Sequence, residues 1–129
     1  IGAHGNDGNG DNSGHVRVYQ TDGTTWTQVG ADIDGEAAGD RSGWSVSLSA
    51  DGTVVAIGAF RNAGNGTDSG HVRLYAINGT TWTQVGADID GERNHRSGRS
   101  ASLSADGTVV AIGADGGITG NAGYVRVFK

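Results

Sequence analysis

Apolar and polar residues alternate one by one along much of this chain. In "WSVSLSA" (44–50), Trp44, Val46 and Leu48 fall on one face and Ser45, Ser47 and Ser49 on the other. That period of two predicts a β-strand with one apolar face. "TVVAIGA" (53–59) is almost continuously apolar, as a strand covered on both faces should be. "HVRLY" (71–75) and "TWTQVGADI" (81–89) complete a set of four predicted strands. The joints carry turn residues: Asp51-Gly52, Asp106-Gly107, Asp22-Gly23 and Asn78-Gly79 each fall between two strands, where a hairpin needs positive φ. No segment of helical length carries an apolar stripe of period 3.6, so the expected class is all-β.

The strand pattern recurs. "GHVRVY" starts at Gly14, "GHVRLY" at Gly70, 56 residues on, and "GYVRVF" at Gly123, 53 residues further. "GTTWTQVGADIDGE" at 23–36 returns unchanged at 79–92. "SVSLSADGTVVAIGA" at 45–59 returns at 100–114 with one change, Val46 to Ala101. One unit is therefore about 55 residues, and the chain carries a little over two. Four antiparallel strands at this period describe the blade of a β-propeller or a propeller-like repeat array. The expected layout is one repeat segment over 1–129: a partial blade at 1–33 (strands three and four), a complete blade at 44–89, and a partial blade at 99–128 (strands one to three). Ile1-Gly2-Ala3 matches the end of "VVAIGA", so the chain opens at the tail of a second strand.

"RSGWSVSLSADGTVVAIGA" followed by "SGHVRLY" resembles an FG-GAP repeat, the blade unit of integrin-α-type β-propellers and of many large surface proteins. The family's Phe-Gly pair is here Ser42-Gly43 and Ser97-Gly98. Its Gly-Ala-Pro is here Gly58-Ala59-Phe60 and Gly113-Ala114-Asp115, which marks a divergent branch. The resemblance implies an extracellular or cell-surface setting and a non-catalytic role. The family's calcium loop, D-x-D-x-D-G-x-x-D between the first two strands, is reduced here to "SADGT" with one carboxylate. A calcium ion wants six to eight oxygens, so that site does not carry over.

Composition narrows the choices. The chain has 129 residues, 25 of them Gly, and no Pro, Cys or Met. So much glycine without proline suits tight turns between short strands. Without cysteine there is no disulfide, thiolate metal site or Cys nucleophile. Net charge is −5 and the nine basic residues are scattered, which argues against nucleic acid as a partner. No apolar run reaches membrane-spanning length, so no membrane insertion is expected. The chain starts at Ile1 rather than Met and carries no signal peptide, which reads as a processed or excised piece of a longer protein.

Two kinds of oxygen-rich stretch invite a cation. "DIDGE" offers Asp32 and Asp34, and again Asp88 and Asp90. As an EF-hand it fails, because Gly35 falls at loop position four instead of six. Position twelve is also wrong, being Gly43 in one copy and Arg99 in the other. Asp32 and Asp34 are expected to end the outer strand and cap the following turn as local backbone acceptors. "GNDGNGDNSG" (5–14) offers Asn6, Asp7, Asn9 and Asp11, and its equivalent "RNAGNGTDSG" (61–70) keeps Asn62 and Asn65 but has Ala63 for Asp7. A surface hairpin loop is the expected reading. No cofactor is expected, and calcium would be the ion if these eight side chains held one.

His15 and His71 occupy equivalent places in successive units, too far apart to share a metal, while His4 and His95 have no second ligand at zinc spacing. All four are expected to be strand or loop residues. The breaks in repeat symmetry are "AAGDR" (37–41) against "RNHR" (93–96), and Trp44 against Arg99. No nucleophile-base-acid grammar accompanies them, so no enzyme is expected; a hydrolase is the most remote reading and would rest on His95 or Asp40. If a protein or glycan ligand binds, the candidate residues are Trp26, Trp82, Arg93, His95 and Arg99. Two N-x-[ST] sequons, at Asn65 and Asn78, become glycosylation sites if the source is a secreting eukaryote.

About two blades leave apolar faces and strand edges to be covered. The leading expectation is a structural or adhesive repeat module that self-associates, or packs on flanking repeats, into a ring or filament. The runner-up is a ligand-binding propeller.

Overall fold

The computed structural model describes residues 1–117 and 120–129. Residues 118 and 119, inside the span expected for the last partial blade, lie outside the described residues. Thirteen strands, and no helix, are found among the described residues. They form three successive antiparallel groups, a propeller-like repeat array.

The first group holds β1 (Gly2–Ala3), β2 (His15–Val16), β3 (Tyr19–Thr21), β4 (Trp26–Gln28) and β5 (Ile33–Asp34). β2 lies between β1 and β5, and β3 pairs with β4. The second sheet holds β6 (Ser45–Leu48), β7 (Val54–Ala59), β8 (His71–Asn78), β9 (Thr81–Gln84) and β10 (Ile89–Asp90), in the order β6, β7, β8, with β9 and β10 both on β8. The third runs β11 (Ser97–Leu103), β12 (Val110–Ala114), β13 (Tyr124–Phe128).

The outer strand expected as one piece at 81–89 is two pieces, and the physical reason is local. Gly86 sits at φ +73, a left-handed conformation that an extended strand cannot hold. The Val85 amide still bonds the Leu74 carbonyl at 2.8 Å, and pairing resumes at Ile89 opposite Val72. The first group repeats this break at Gly30, also at φ +73. The turn at 49–54 is held by the Asp51 carboxylate, which accepts from the Ser49 hydroxyl (2.7 Å), the Thr53 amide (3.0 Å) and the Thr53 hydroxyl (2.9 Å). Those bonds hold Asp51, and likewise Asp106 in its copy, below the usual carboxylate range.

The core lies between the sheets. Val16, Val18 and Ile33 of the first group pack on Val55 and Ile57 of the second, with Tyr75 and Trp82 against them. Ala56, Val72, Leu74 and Ile89 of the second pack with Ala101, Leu103, Val110 and Ile112 of the third. With the repeat offsets applied, Val72, Leu74 and Ile89 are Val16, Val18 and Ile33, while Val110 and Ile112 are Val55 and Ile57. The two junctions are the same contact used twice. Backbone closeness is part of it: a Cβ on Gly58 would collide with the Gly98 carbonyl of the next sheet, so only glycine fits there. Val46 and Leu48 depart from expectation. Their alternation predicts a covered face, yet they are 39% and 46% exposed, because the surface they face is not filled by the first group as it is at the second junction.

Candidate functional site

The repeated Arg-Gln-Asp-His cluster forms because register brings these residues together across neighbouring strands. Arg17, between β2 and β3, sends Nε and Nη2 to the two carboxylate oxygens of Asp32, 2.8 Å each, and Gln28 Nε2 adds a third bond at 2.8 Å. In the second sheet Arg73 forks Asp88 in the same way, 2.8 Å each, with Gln84 Nε2 at 2.7 Å. Arg73 Nη2 also reaches Glu36 of the preceding unit at 2.7 Å, tying the two units together. The Arg fork, with help from Gln28, pulls Asp32 well below the ordinary carboxylate range, and Arg73 does the same to Asp88. The expected role of Asp32 as a local backbone acceptor is thus corrected. Its acceptor capacity goes to the side chains of Arg17, just after β2, and Gln28, at the end of β4.

Two sets of ligand-type atoms do converge within 4.8 Å: His15, Asp32 and Asp34, and Glu36, His71 and Asp88. In each an aspartate carries an arginine fork, so a cation would have to displace a guanidinium held by a bidentate bond. Asp34 and Asp90 are exposed at the strand ends. His71 is buried, its Nδ1 lies 3.5 Å from Asp88 Oδ2, and no hydrogen-bond partner meets that nitrogen. Burial lowers the His71 pKa below its ordinary value and Arg73 adds to this, with Asp88, Asp40 and Glu36 opposing.

The loop carboxylates and amides also have structural occupations. Asn6 Oδ1 accepts from the Gly8 amide and Asp7 Oδ1 from the Asn12 amide, both at 2.8 Å. Asn9 Nδ2 donates to the Gly35 carbonyl at 2.8 Å, and Asp11 Oδ1 accepts from Asn12 Nδ2 at 2.8 Å. The second copy keeps the two bonds whose residues it keeps, Asn62 with Gly64 (2.8 Å) and Asn65 with Gly91 (2.9 Å). Asn65 Nδ2 is therefore engaged, whereas Asn78 is exposed at the tip of β8.

The binding candidates divide among separate places. Trp82 is half-buried and donates Nε1–H to the Val29 carbonyl of the preceding unit at 2.8 Å. Arg99 lies over the rings of Trp44 and Phe60, 4.7 Å from each centroid, and pairs with Asp115 at 3.0 Å. Trp44 in turn meets Phe60 at 4.7 Å and His4 at 4.6 Å. A ladder of His4, Trp44, Phe60, Arg99 and Asp115 therefore crosses all three units. The Trp44/Arg99 break in symmetry pointed at it, but His4, Phe60 and Asp115 were missed. They are one repeat position occupied three different ways, which the offsets alone could have shown. His95 Nδ1 donates to the Arg93 carbonyl at 3.1 Å and the ring meets Tyr124 at 5.5 Å, and Arg93 is exposed. Asp40 is buried against Asn62 Nδ2 at 2.8 Å.

Trp26 remains, 68% exposed although its copy Trp82 is packed. It borders an apolar groove of about 560 Å³, with Ile1, Val18 and Tyr19 on one side and Val46 and Leu48 on the other. At the far end of the chain, Val125 and Val127 are 70% and 65% exposed. Their repeat equivalents in the earlier units, Val72 and Leu74, Val16 and Val18, all sit in the two cores.

Among known proteins, residues 26–75 match the family model of the FG-GAP repeat, a stretch running from β4 through the first three strands of the second sheet. No curated protein matches the chain. Among the described residues, no helix is long and apolar enough to cross a membrane.

Proposed function

We propose, on the premise that 26–75 is an FG-GAP repeat, that this chain is a structural and adhesive module of an extracellular or cell-surface protein, whose end faces mate with further units of the same kind. One observation carries the reading: a single sheet-to-sheet contact is used twice inside the chain, and residues equivalent to each half of it are bare at the ends. Val125 and Val127 repeat the half built by Val16 and Val18, and Trp26 repeats Trp82. Apolar surface of this kind gains about 25 cal/mol for each Å² removed from water. The contact is heterologous, so repetition yields a ring or a filament.

Sedimentation of the chain over a concentration series tests this. Mass should rise with concentration, and Val127→Asp should hold the chain at monomer mass, since a carboxylate buried in that contact lacks a partner. A monomer at every concentration would sink the reading. The glycan alternative rests on the exposed indole of Trp26 beside the groove; glycan-array binding that Trp26→Ala abolishes would favour it.

A further inference from the structure

Asparagine is a thermolabile residue, and this chain places it before glycine at Asn9-Gly10, Asn65-Gly66 and Asn78-Gly79. The fold treats the three pairs differently. In the first two, both the glycine amide and the asparagine amide are occupied. The Gly10 amide donates to the Asp7 carbonyl and the Gly66 amide to the Ala63 carbonyl, 3.1 Å each. Asn9 Nδ2 donates to the Gly35 carbonyl at 2.8 Å, and Asn65 Nδ2 to the Gly91 carbonyl at 2.9 Å. The space beside each glycine is filled as well, by Ala38 at Gly10 and by the Arg93 side chain at Gly66. The third pair, at the tip of the β8–β9 hairpin, is bare. Asn78 and Gly79 are exposed, and a Cβ built on Gly79 would meet nothing within 4 Å. Among the described residues, no hydrogen bond engages the Gly79 amide or the Asn78 side chain.

We infer that Asn78 is a site of spontaneous deamidation, with water as the only co-reactant. The Gly79 amide nitrogen loses its proton to solvent and attacks Asn78 Cγ. A nitrogen–carbon bond forms, the Cγ–Nδ2 bond breaks, and ammonia leaves behind a five-membered imide. Water then opens the ring: addition at Cγ gives aspartate, and addition at the main-chain carbonyl carbon gives isoaspartate. Glycine favours the closure because it has no Cβ to crowd the approach. The repeat shows where the aspartate product would settle. Asp22-Gly23-Thr24-Thr25 is the copy of Asn78-Gly79-Thr80-Thr81. There the Asp22 carboxylate accepts from the Thr24 amide (2.9 Å), the Thr24 hydroxyl (3.1 Å) and the Thr25 amide (2.7 Å). Thr80 and Thr81 carry the same donor groups, so aspartate suits a turn that this chain already makes. Isoaspartate instead adds a carbon to the main chain beside the Ile77–Trp82 pair, which disturbs the register of β8 on β9. The reaction needs no partner chain, so it is independent of any assembly.

Peptide mapping by mass spectrometry follows all three asparagines at once in the folded chain, made without glycosylation and held in mildly alkaline buffer. Asn78 should convert first. Asn9 and Asn65 should lag at least about tenfold, since the hydrogen bonds each gives up in ring closure are worth a factor of that order. In guanidinium, where the fold no longer protects them, the three rates should converge. Asn78→Gln should remove the fast acidic product, because its ring would need six members. Asn78→Asp should keep the denaturant midpoint of the native chain, as the turn at Asp22 leads one to expect. Equal rates in the folded chain would overturn the inference, as would an Asn78 that stays intact while the unfolded chain reacts. A lowered midpoint for Asn78→Asp would overturn the fit of the aspartate product to the turn.

Discussion

The two junctions of this protein are built from nearly the same residues and live in different surroundings. At the second, Ile112 is buried in a core with Val72 and Val110, and Ala101 and Leu103 lie against it. At the first, Ile57, which matches Ile112, is buried with Val16 and Val55, but Val46 and Leu48 look onto an open groove bordered by Ile1, another copy of the same position, which is 77% exposed. The indoles differ by position in the same way: Trp82 packs at the first junction and bonds a carbonyl of the first unit, while Trp26 faces solvent. In a repeat array a residue's energetic weight comes from its neighbouring unit, because each unit buries its face only against the next.

The largest test of that contrast is a matched pair of truncations, measured by urea unfolding of dilute chain. Ile112→Ala should cost about 2–5 kcal/mol, as removal of a buried Ile side chain does. Ile1→Ala should stay within about 0.5 kcal/mol, as exposed substitutions do. Equal costs would mean that the groove bordered by Ile1 is as closed as the core around Ile112. A smaller effect separates the tryptophans. Trp82→Phe loses the bond to Val29 and should cost about 0.5–1.5 kcal/mol. Trp26→Phe should change nothing measurable at low concentration.

The architecture was legible because it rests on local signals that repeat: the period of two, the Asp-Gly turns, and offsets that align each strand with its copy. The Asp51 turn needs only residues within two or three places of each other. The break in the outer strand was not legible, since "QVGAD" fits an extended strand until Gly86 takes its left-handed conformation. Nor was the Arg-Asp cluster. Arg73 and Asp88 are 15 residues apart, and their meeting depends on the register of β8 against β10. "DIDGE" therefore looked like a cation loop with poor spacing, when its first aspartate is the acceptor of a cross-strand fork. The ladder through Trp44 and Arg99 was half legible: the offsets mark His4, Phe60 and Asp115 as one repeat position, but the contacts among its members form only when the three units stack.

The smallest expected effect concerns pH, and it tests whether the His71 cluster holds the first two units together. His71 lies among Arg73, Asp88, Asp40 and Glu36, and burial with Arg73 lowers its pKa in the folded state. An unfolded histidine titrates near 6.5. Between that value and the lower folded one the unfolded chain binds more protons, so stability is complete above about 6.5 and falls as pH falls through the folded pKa. Asp88 acts lower down: its depressed pKa gives stability that is present above about 4 and lost as pH falls below it. A single group can contribute a slope of at most about 1.4 kcal/mol per pH unit. Denaturant midpoints taken between pH 7 and 5 should therefore fall gently for the native chain. They should stay flat over that range for His71→Gln, which keeps a polar side chain but cannot titrate. An equal fall in the variant would assign the slope to another group and remove His71 from the junction's acid sensitivity.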